Sequence, residues 1–346
     1  MLRLIATGTA VVAFAASAGA SPVRPLVATR LTVQALAQDG SRIAWMSGSC
    51  YTVRIRSLAT RRTAVAGNAD ATTCYSVEPP LLALAGRRAL WVVSEAGNNI
   101  YADVVTGTAR SRNRPVEQVV GASGGSDGDY VTNVAGDGPT LVYGVISMSF
   151  LDTCIDPGEP CEYFVTGGRV MRVVGSRAVR IPHLPPAVDV AVAGRRVAVL
   201  VAAHEATASG PVASGRIELH DAVTGALVRS IQLNRTPSDL ALGSRALAVV
   251  EEAKGELPTV TRFSLATGAM TARVPLMRRP SDLSVSGRLV LFRVGRHIDV
   301  VEPTRNTFRT VALATSTPLG LSFEGRRIVW AENGRRRSRI VGAAAG

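Results

Sequence analysis

One short pattern recurs seven times along the chain and places all three of its tryptophans. Its anchors are Gly40, Gly86, Gly138, Gly194, Ser244, Gly287 and Gly325. Four residues before each anchor stands an aliphatic side chain: Leu36, Leu82, Val134, Val190, Leu240, Leu283 and Leu321. Three before it stands a small one: Ala37, Ala83, Ala135, Ala191, Ala241, Ser284 and Ser322. Three after it come Ile43, Ala89, Leu141, Val197, Leu247, Val290 and Ile328, and five after it Trp45, Trp91, Tyr143, Val199, Val249, Phe292 and Trp330. Spacings of two keep side chains on one face of a strand, so each anchor marks a turn between two strands. The Gly-Arg, Asp-Gly and Gly-Ser apices tolerate the positive φ of a tight hairpin.

The anchors are about 47 residues apart on average, the period of a four-stranded propeller blade. The expected fold is therefore all-β, a seven-bladed β-propeller, with six or eight blades as the alternatives. Small residues three before the anchor suit inner strands that crowd around a central axis. Third and fourth strands follow most clearly at Arg216 to His220 with the run to Leu233, and at Val260 to Leu265 with the run to Leu276. Thr106-Gly107, Thr224-Gly225 and Thr267-Gly268 are read as one shared turn. The last repeat ends after Arg337 to Val341 without a fourth strand, and residues Pro22 to Val27 of the mature N-terminus are expected to supply it. Such closure removes exposed strand edges.

An Ala-Thr-Gly turn, an apolar strand, Pro-Ser-Asp-Leu at 237 and 280, and then an aliphatic hairpin form a repeated grammar. It resembles the bacterial exported propellers of YVTN-type or TolB-like repeats, WD40-like in shape. The resemblance spans nearly the whole mature chain and implies a binding or scaffolding role at or beyond the cell surface. It carries no catalytic residue over. Tyr130-Val131-Thr132-Asn133 spells the YVTN signature, but before the Gly138 hairpin, whereas that family carries it after the hairpin. The match is read as chance.

Met1-Leu2-Arg3, the apolar run Leu4 to Ala16 and the small residues Ser17 to Ala20 read as a secretory signal peptide, residues 1–20, ahead of one propeller domain, residues 21–346. The apolar run is short of the roughly 20 residues that span a bilayer, so the product is expected to be secreted or associated with the cell envelope, and monomeric. Four cysteines in an exported chain suggest two disulfides. Cys154 and Cys161 enclose a turn-rich loop and are paired with each other; Cys50 and Cys74 pair by elimination.

The net charge of +13 arises almost wholly from arginine, Lys254 being the sole lysine. Arg87, Arg88, Arg195, Arg196, Arg326 and Arg327 follow the anchor turns, which in a propeller share one end, here called the bottom face. A face of this sign points to an anionic envelope polymer, or to arginines that merely solvate tight turns. Nucleic acid is disfavoured, because the tryptophans belong to the core pattern and leave no aromatic stacking platform.

Asn133, Asp189, Asp239 and Asp282 stand five residues before the anchors of successive repeats. At the mouth of a central channel they would form an arc of oxygen ligands for a hard cation such as Ca²⁺; the alternative is that each accepts backbone hydrogen bonds within its connection. No nucleophile elbow, HExxH, Walker loop or paired-cysteine zinc motif occurs. The expected function is non-catalytic binding of a protein or ligand through top-face loops, Ser149 to Tyr163 and Ala203 to Gly215 being the longest. A hydrolase or lyase acting in the top-face channel is the alternative.

Overall fold

Runs of Val, Ile, Leu and Ala broken by glycine turns fold as antiparallel hairpins, and among the residues that the computed structural model describes every regular element is a β-strand. It describes residues 22–68, 79–96, 99–122, 127–150, 163–207, 210–302 and 306–345. Strand β1 (Arg24–Thr29) is followed by β2–β5 (Val33–Asp39, Arg42–Ser47, Thr52–Ser57, Thr63–Gly67) and β6–β9 (Leu81–Ala85, Arg88–Ala96, Asn99–Gly107, Arg114–Ala122). Next come β10–β13 (Gly128–Asp137, Thr140–Phe150, Tyr163–Val174, Arg177–Arg180) and β14–β17 (Ala187–Ala193, Arg196–Thr207, Gly210–Asp221, Leu227–Gln232). Then follow β18–β21 (Thr236–Leu242, Ala246–Glu252, Thr259–Ser264, Met270–Pro275), β22–β25 (Asp282–Ser286, Leu289–Val294, His297–Val301, Phe308–Leu313) and β26–β28 (Pro318–Glu324, Arg327–Asn333, Ser338–Ala344).

Neither seven like blades nor six nor eight describes the sheet pattern, and this corrects the expectation from sequence. Five sheets are separate four-stranded blades: β2–β5, β6–β9, β18–β21, β22–β25, and β26–β28 with β1. The remaining strands form one eight-stranded sheet, in which β10–β13 and β14–β17 are joined by β12 and β15. The reason is strand length. Strands β12 and β15 run for 12 residues each, against 5 for β22 and β24, so their outer ends meet and pair at Tyr163↔Ala206 and Phe164↔Glu205. The small residues within each repeat do not encode that meeting.

Strand β1 lies along β28, from Arg24↔Gly342 to Thr29↔Ser338. A second tie joins the two ends of the chain: the Asn333 side chain accepts from the Val33 amide at 2.9 Å and donates to the Val33 carbonyl at 2.8 Å. The inner strands follow one another in a closed circuit, β2, β6, β10, β14, β18, β22, β26 and back to β2.

The core fills the wedges between neighbouring sheets. Ala44, Met46 and Val53 of one sheet meet Leu84, Ala89 and Trp91 of the next, and Val142 and Val170 meet Val190 and Val199 between the halves of the eight-stranded sheet. Trp45, Trp91 and Trp330 sit on second strands and are at most 2% exposed, each covering the large area that makes aromatic burial so stabilising. Space around them is scarce. A Cβ on Gly107 would stand 2.3 Å from the Ala66 carbonyl oxygen and 3.0 Å from the Trp91 ring. Thr106 and Gly107 thus end strand β8, whereas Gly225 and Gly268 occupy true turns at φ 72° and 75°. The three Thr-Gly pairs are alike in sequence and different in role. Gly107→Ala is expected to destabilise the chain by about 1–3 kcal/mol through overpacking against a backbone atom, read as a lower urea midpoint at unchanged slope.

Candidate functional site

Because the inner strands all run the same way around the circuit, their first residues converge at one channel mouth and their last at the other. Asn133, Asp189, Asp239 and Asp282 are brought together at the first mouth, on the consecutive strands β10, β14, β18 and β22. Asn133 donates through Nδ2 to Asp189 Oδ1, which also accepts from the Val190 amide at 2.7 Å. Asp189 Oδ2 accepts from the Leu240 amide on the next strand at 2.8 Å. Asp282 likewise accepts from the Leu321 amide and pairs with Arg293. The side chains of this arc therefore link β10 to β14, β14 to β18 and β22 to β26.

Crowding carboxyls in a buried arc shifts their protonation. Burial, together with the neighbouring Asp189 and Asp282 carboxyls, pushes Asp239 up to about 8. Burial raises Asp189 to about 6, against the opposing hydrogen bonds from Asn133 and the Leu240 and Val190 amides. Asp282 is also raised by burial, opposed by Arg293. At neutral pH Asp239 thus holds its proton and offers a neutral carboxyl.

A second cluster lies at the opposite mouth. Asp39, Asp137 and Glu324 each stand one residue before an anchor, and their carboxylate oxygens lie within 4.8 Å of one another. Asp39 Oδ2 accepts from the Gly86 amide, and Asp137 Oδ2 from the Gly194 amide at 2.5 Å. Ser286 does the same for the Gly325 amide at 2.7 Å. Burial raises the Asp137 carboxyl, with Asp39 adding to it; burial and both aspartates raise Glu324. Sequence reasoning inspected the position five before the anchor and passed over this one. An acid directly before the turn in Asp39, Asp137 and Glu324 was the available signal.

The arginines of the bottom face differ in their surroundings. Arg88 donates to the Gly175 carbonyl at 2.9 Å, Arg327 to the Gly40 carbonyl at 3.3 Å, and Arg195 pairs with Asp221 at 3.2 Å. Among the described residues the guanidiniums of Arg87, Arg196 and Arg326 have no hydrogen bond or ion pair. Cys74, Cys154 and Cys161 lie outside the described residues.

No family model and no curated protein matches the chain. Among solved structures it is similar to a chain of a mitotic checkpoint complex, at 11% identity and a TM-score of 0.53, covering 99% of this chain and 100% of that one. It is similar to the WD40 domain of Pan2 from Neurospora crassa, at 10% identity and a TM-score of 0.51, covering 94% and 97%. It is also similar to the acylaminoacyl peptidase of Pyrococcus horikoshii, at 9% identity and a TM-score of 0.52, covering 90% of this chain and 50% of that one. Identities this low speak for fold alone. The chain is a β-propeller of WD40-like shape. Among the described residues of this propeller no helix is long and apolar enough to cross a membrane.

The carboxyls of the two mouths give the propeller a pH signature. A carboxyl raised in the folded state binds a proton that the unfolded chain, titrating near 4, has already released. Its contribution is complete below about pH 4 and is lost as pH rises towards about 8, where Asp239 ionises. Stability from these groups therefore falls from pH 5 to pH 9. Asp239→Asn removes one ionisation and is expected to add about 1–3 kcal/mol at pH 9 with little change at pH 5. Urea denaturation at the two pH values checks this.

Proposed function

We propose that the chain is an exported, non-catalytic propeller that binds a protein or ligand partner through the top-face hairpins. The observation that carries this reading is the pairing of β12 with β15. Of the segment expected as a loop at Ala203 to Gly215, Ala203 to Thr207 end β15 and Gly210 to Gly215 begin β16; of Ser149 to Tyr163, the described Ser149 and Phe150 end β11 and Tyr163 begins β12. Residues 151–162 lie outside the described residues. Strands of 12 residues outreach those of 5 by roughly 20 Å at about 3.3 Å per residue. Cross-pairing turns the two hairpins into a stiff ledge, and the Phe164 and His204 rings pack on it with centroids 5.2 Å apart. A rigid ledge with exposed His204, Glu205 and Thr207 keeps its binding shape before a partner arrives, which lowers the ordering cost of association.

Export, a mature domain of residues 21–346, a monomeric state and kinship with YVTN-type or TolB-like exported propellers belong to the same reading. The apolar run Leu4 to Ala16 with its small-residue end supports export. The pairings Cys50 with Cys74 and Cys154 with Cys161 fit an oxidising compartment. Their support is the even number of cysteines, four, in a chain read as exported.

A second reading, contact of the bottom face with an anionic envelope polymer, is favoured by the guanidiniums of Arg87, Arg196 and Arg326, which have no hydrogen bond or ion pair among the described residues.

The test of the ledge uses its own register. Ala202 pairs with Ala213, so an Asn-Gly turn joining them shortens the hairpin without disturbing the ring. The variant is expected to keep the thermal transition of the parent and to lose, by about tenfold or more, the partner cross-linked from envelope extract. Recovery of the same partner in the same amount from the shortened protein would end this reading.

A further inference from the structure

The bottom turns of β2–β5 and β6–β9 enclose a cavity of about 530 Å³. Four arginines line it, one from each of four connections: Arg42 after the β2–β3 turn, Arg62 before β5, Arg87 in the β6–β7 turn and Arg110 between β8 and β9. No carboxylate is among the lining residues. Among the described residues none of the four guanidiniums forms a hydrogen bond or ion pair, although elsewhere on the same face Arg195 has found Asp221. Four like charges converging without a counter-charge repel one another, and an anion placed among them relieves that repulsion.

The hydroxyls of the cavity point the same way. Ser57 Oγ accepts from the Thr60 amide at 3.2 Å. Thr108 Oγ1 accepts from the amides of Arg110 at 3.2 Å and Ser111 at 3.0 Å. Both hydroxyls accept within their turns, and no hydrogen bond among the described residues uses their protons, which are left to donate. The lining thus offers donors at Arg42, Arg62, Arg87, Arg110, Ser57 and Thr108 over an apolar floor of Ile55 and Ala64.

We propose that this cavity is a binding site for a phosphorylated small molecule, a phosphate monoester or diphosphate. Guanidinium forks match the bidentate geometry of phosphate oxygens, and a volume of this size accommodates a sugar-sized body beyond the phosphate. The proposal rests on the second reading above only for the sign of the face. A polymer needs an extended charged surface, whereas this site needs four converging arginines and a limited volume.

Isothermal titration with inorganic pyrophosphate, at low salt because exposed charges are screened, tests it. The parent is expected to bind with one-site stoichiometry, and Arg62→Gln and Arg110→Gln each to weaken binding about tenfold or more. Arg62→Lys, which keeps the charge and loses the fork, should fall between parent and Arg62→Gln. Arg196→Gln/Arg326→Gln, on the same face outside the cavity, should bind pyrophosphate within about twofold of the parent while being retained less on heparin. Absence of saturable pyrophosphate binding by the parent, or equal weakening by the outside pair, overturns the site. Heparin retention unchanged by the outside pair overturns the polymer reading alone. Unchanged melting temperatures identify each variant as folded.

Discussion

An inner strand of a ring has one edge that faces no neighbouring strand of its own sheet, and the amides on that edge must still be satisfied. Here the solution is a side-chain acceptor supplied by the preceding inner strand. Asp189 serves the Leu240 amide and Asp282 the Leu321 amide at one mouth; Asp39 serves Gly86, Asp137 serves Gly194 and Ser286 serves Gly325 at the other. The wedges of valine and tryptophan hold the sheets together by area, but area does not fix their angle about the axis. These directed bonds do, because each works at only one relative rotation of two strands. The acidity of both channel mouths is thus a by-product of how the ring is fastened, and the raised carboxyls at Asp137, Asp189 and Asp239 follow from fastening in a place that excludes water.

Much of this was legible in the sequence, because the hairpin repeat is local and each repeat states it independently. The anchor glycines, the small residues beside the axis, the second-strand tryptophans and the strand along β28 stand where the pattern put them. What escaped was non-local. Whether Phe164 reaches Glu205 depends on how far two hairpins extend and lean, and neither the alternation of β12 nor that of β15 contains the other. The reading of separate blades failed there and nowhere else in the sheet order. The trio Asp39, Asp137 and Glu324 escaped for a different reason: they come from β2, β10 and β26, strands far apart in sequence, and meet only because the ring curves. The arc at Asn133 to Asp282 could be found because its members occupy one register position in successive repeats.

The bottom face likewise separates residue type from residue role. Arg88 and Arg327 reach the carbonyl oxygens of neighbouring turns and act as struts, Arg195 is neutralised by Asp221, and Arg87 has no such occupation. A run of Gly-Arg-Arg turns reads as a uniform charge stripe in sequence; in three dimensions it divides into struts, pairs and vacant cations. Only the last group is available to a ligand.

Closure of the ring has a consequence for how the chain reaches its native state. Strand β1 precedes the other described strands and pairs with β28, which follows them, while Asn333 clamps Val33 across 300 positions of sequence. Every other strand finds its partner within its own hairpin or the next one, so hairpins can assemble early while the ring stays open. The final contacts carry the largest loop-closure entropy of any in the molecule. Until the seven-residue β28 is made, β1 waits as an unpaired edge, the species most exposed to association with other chains. The molecule's slowest folding step and its greatest aggregation hazard therefore coincide in one strand pair.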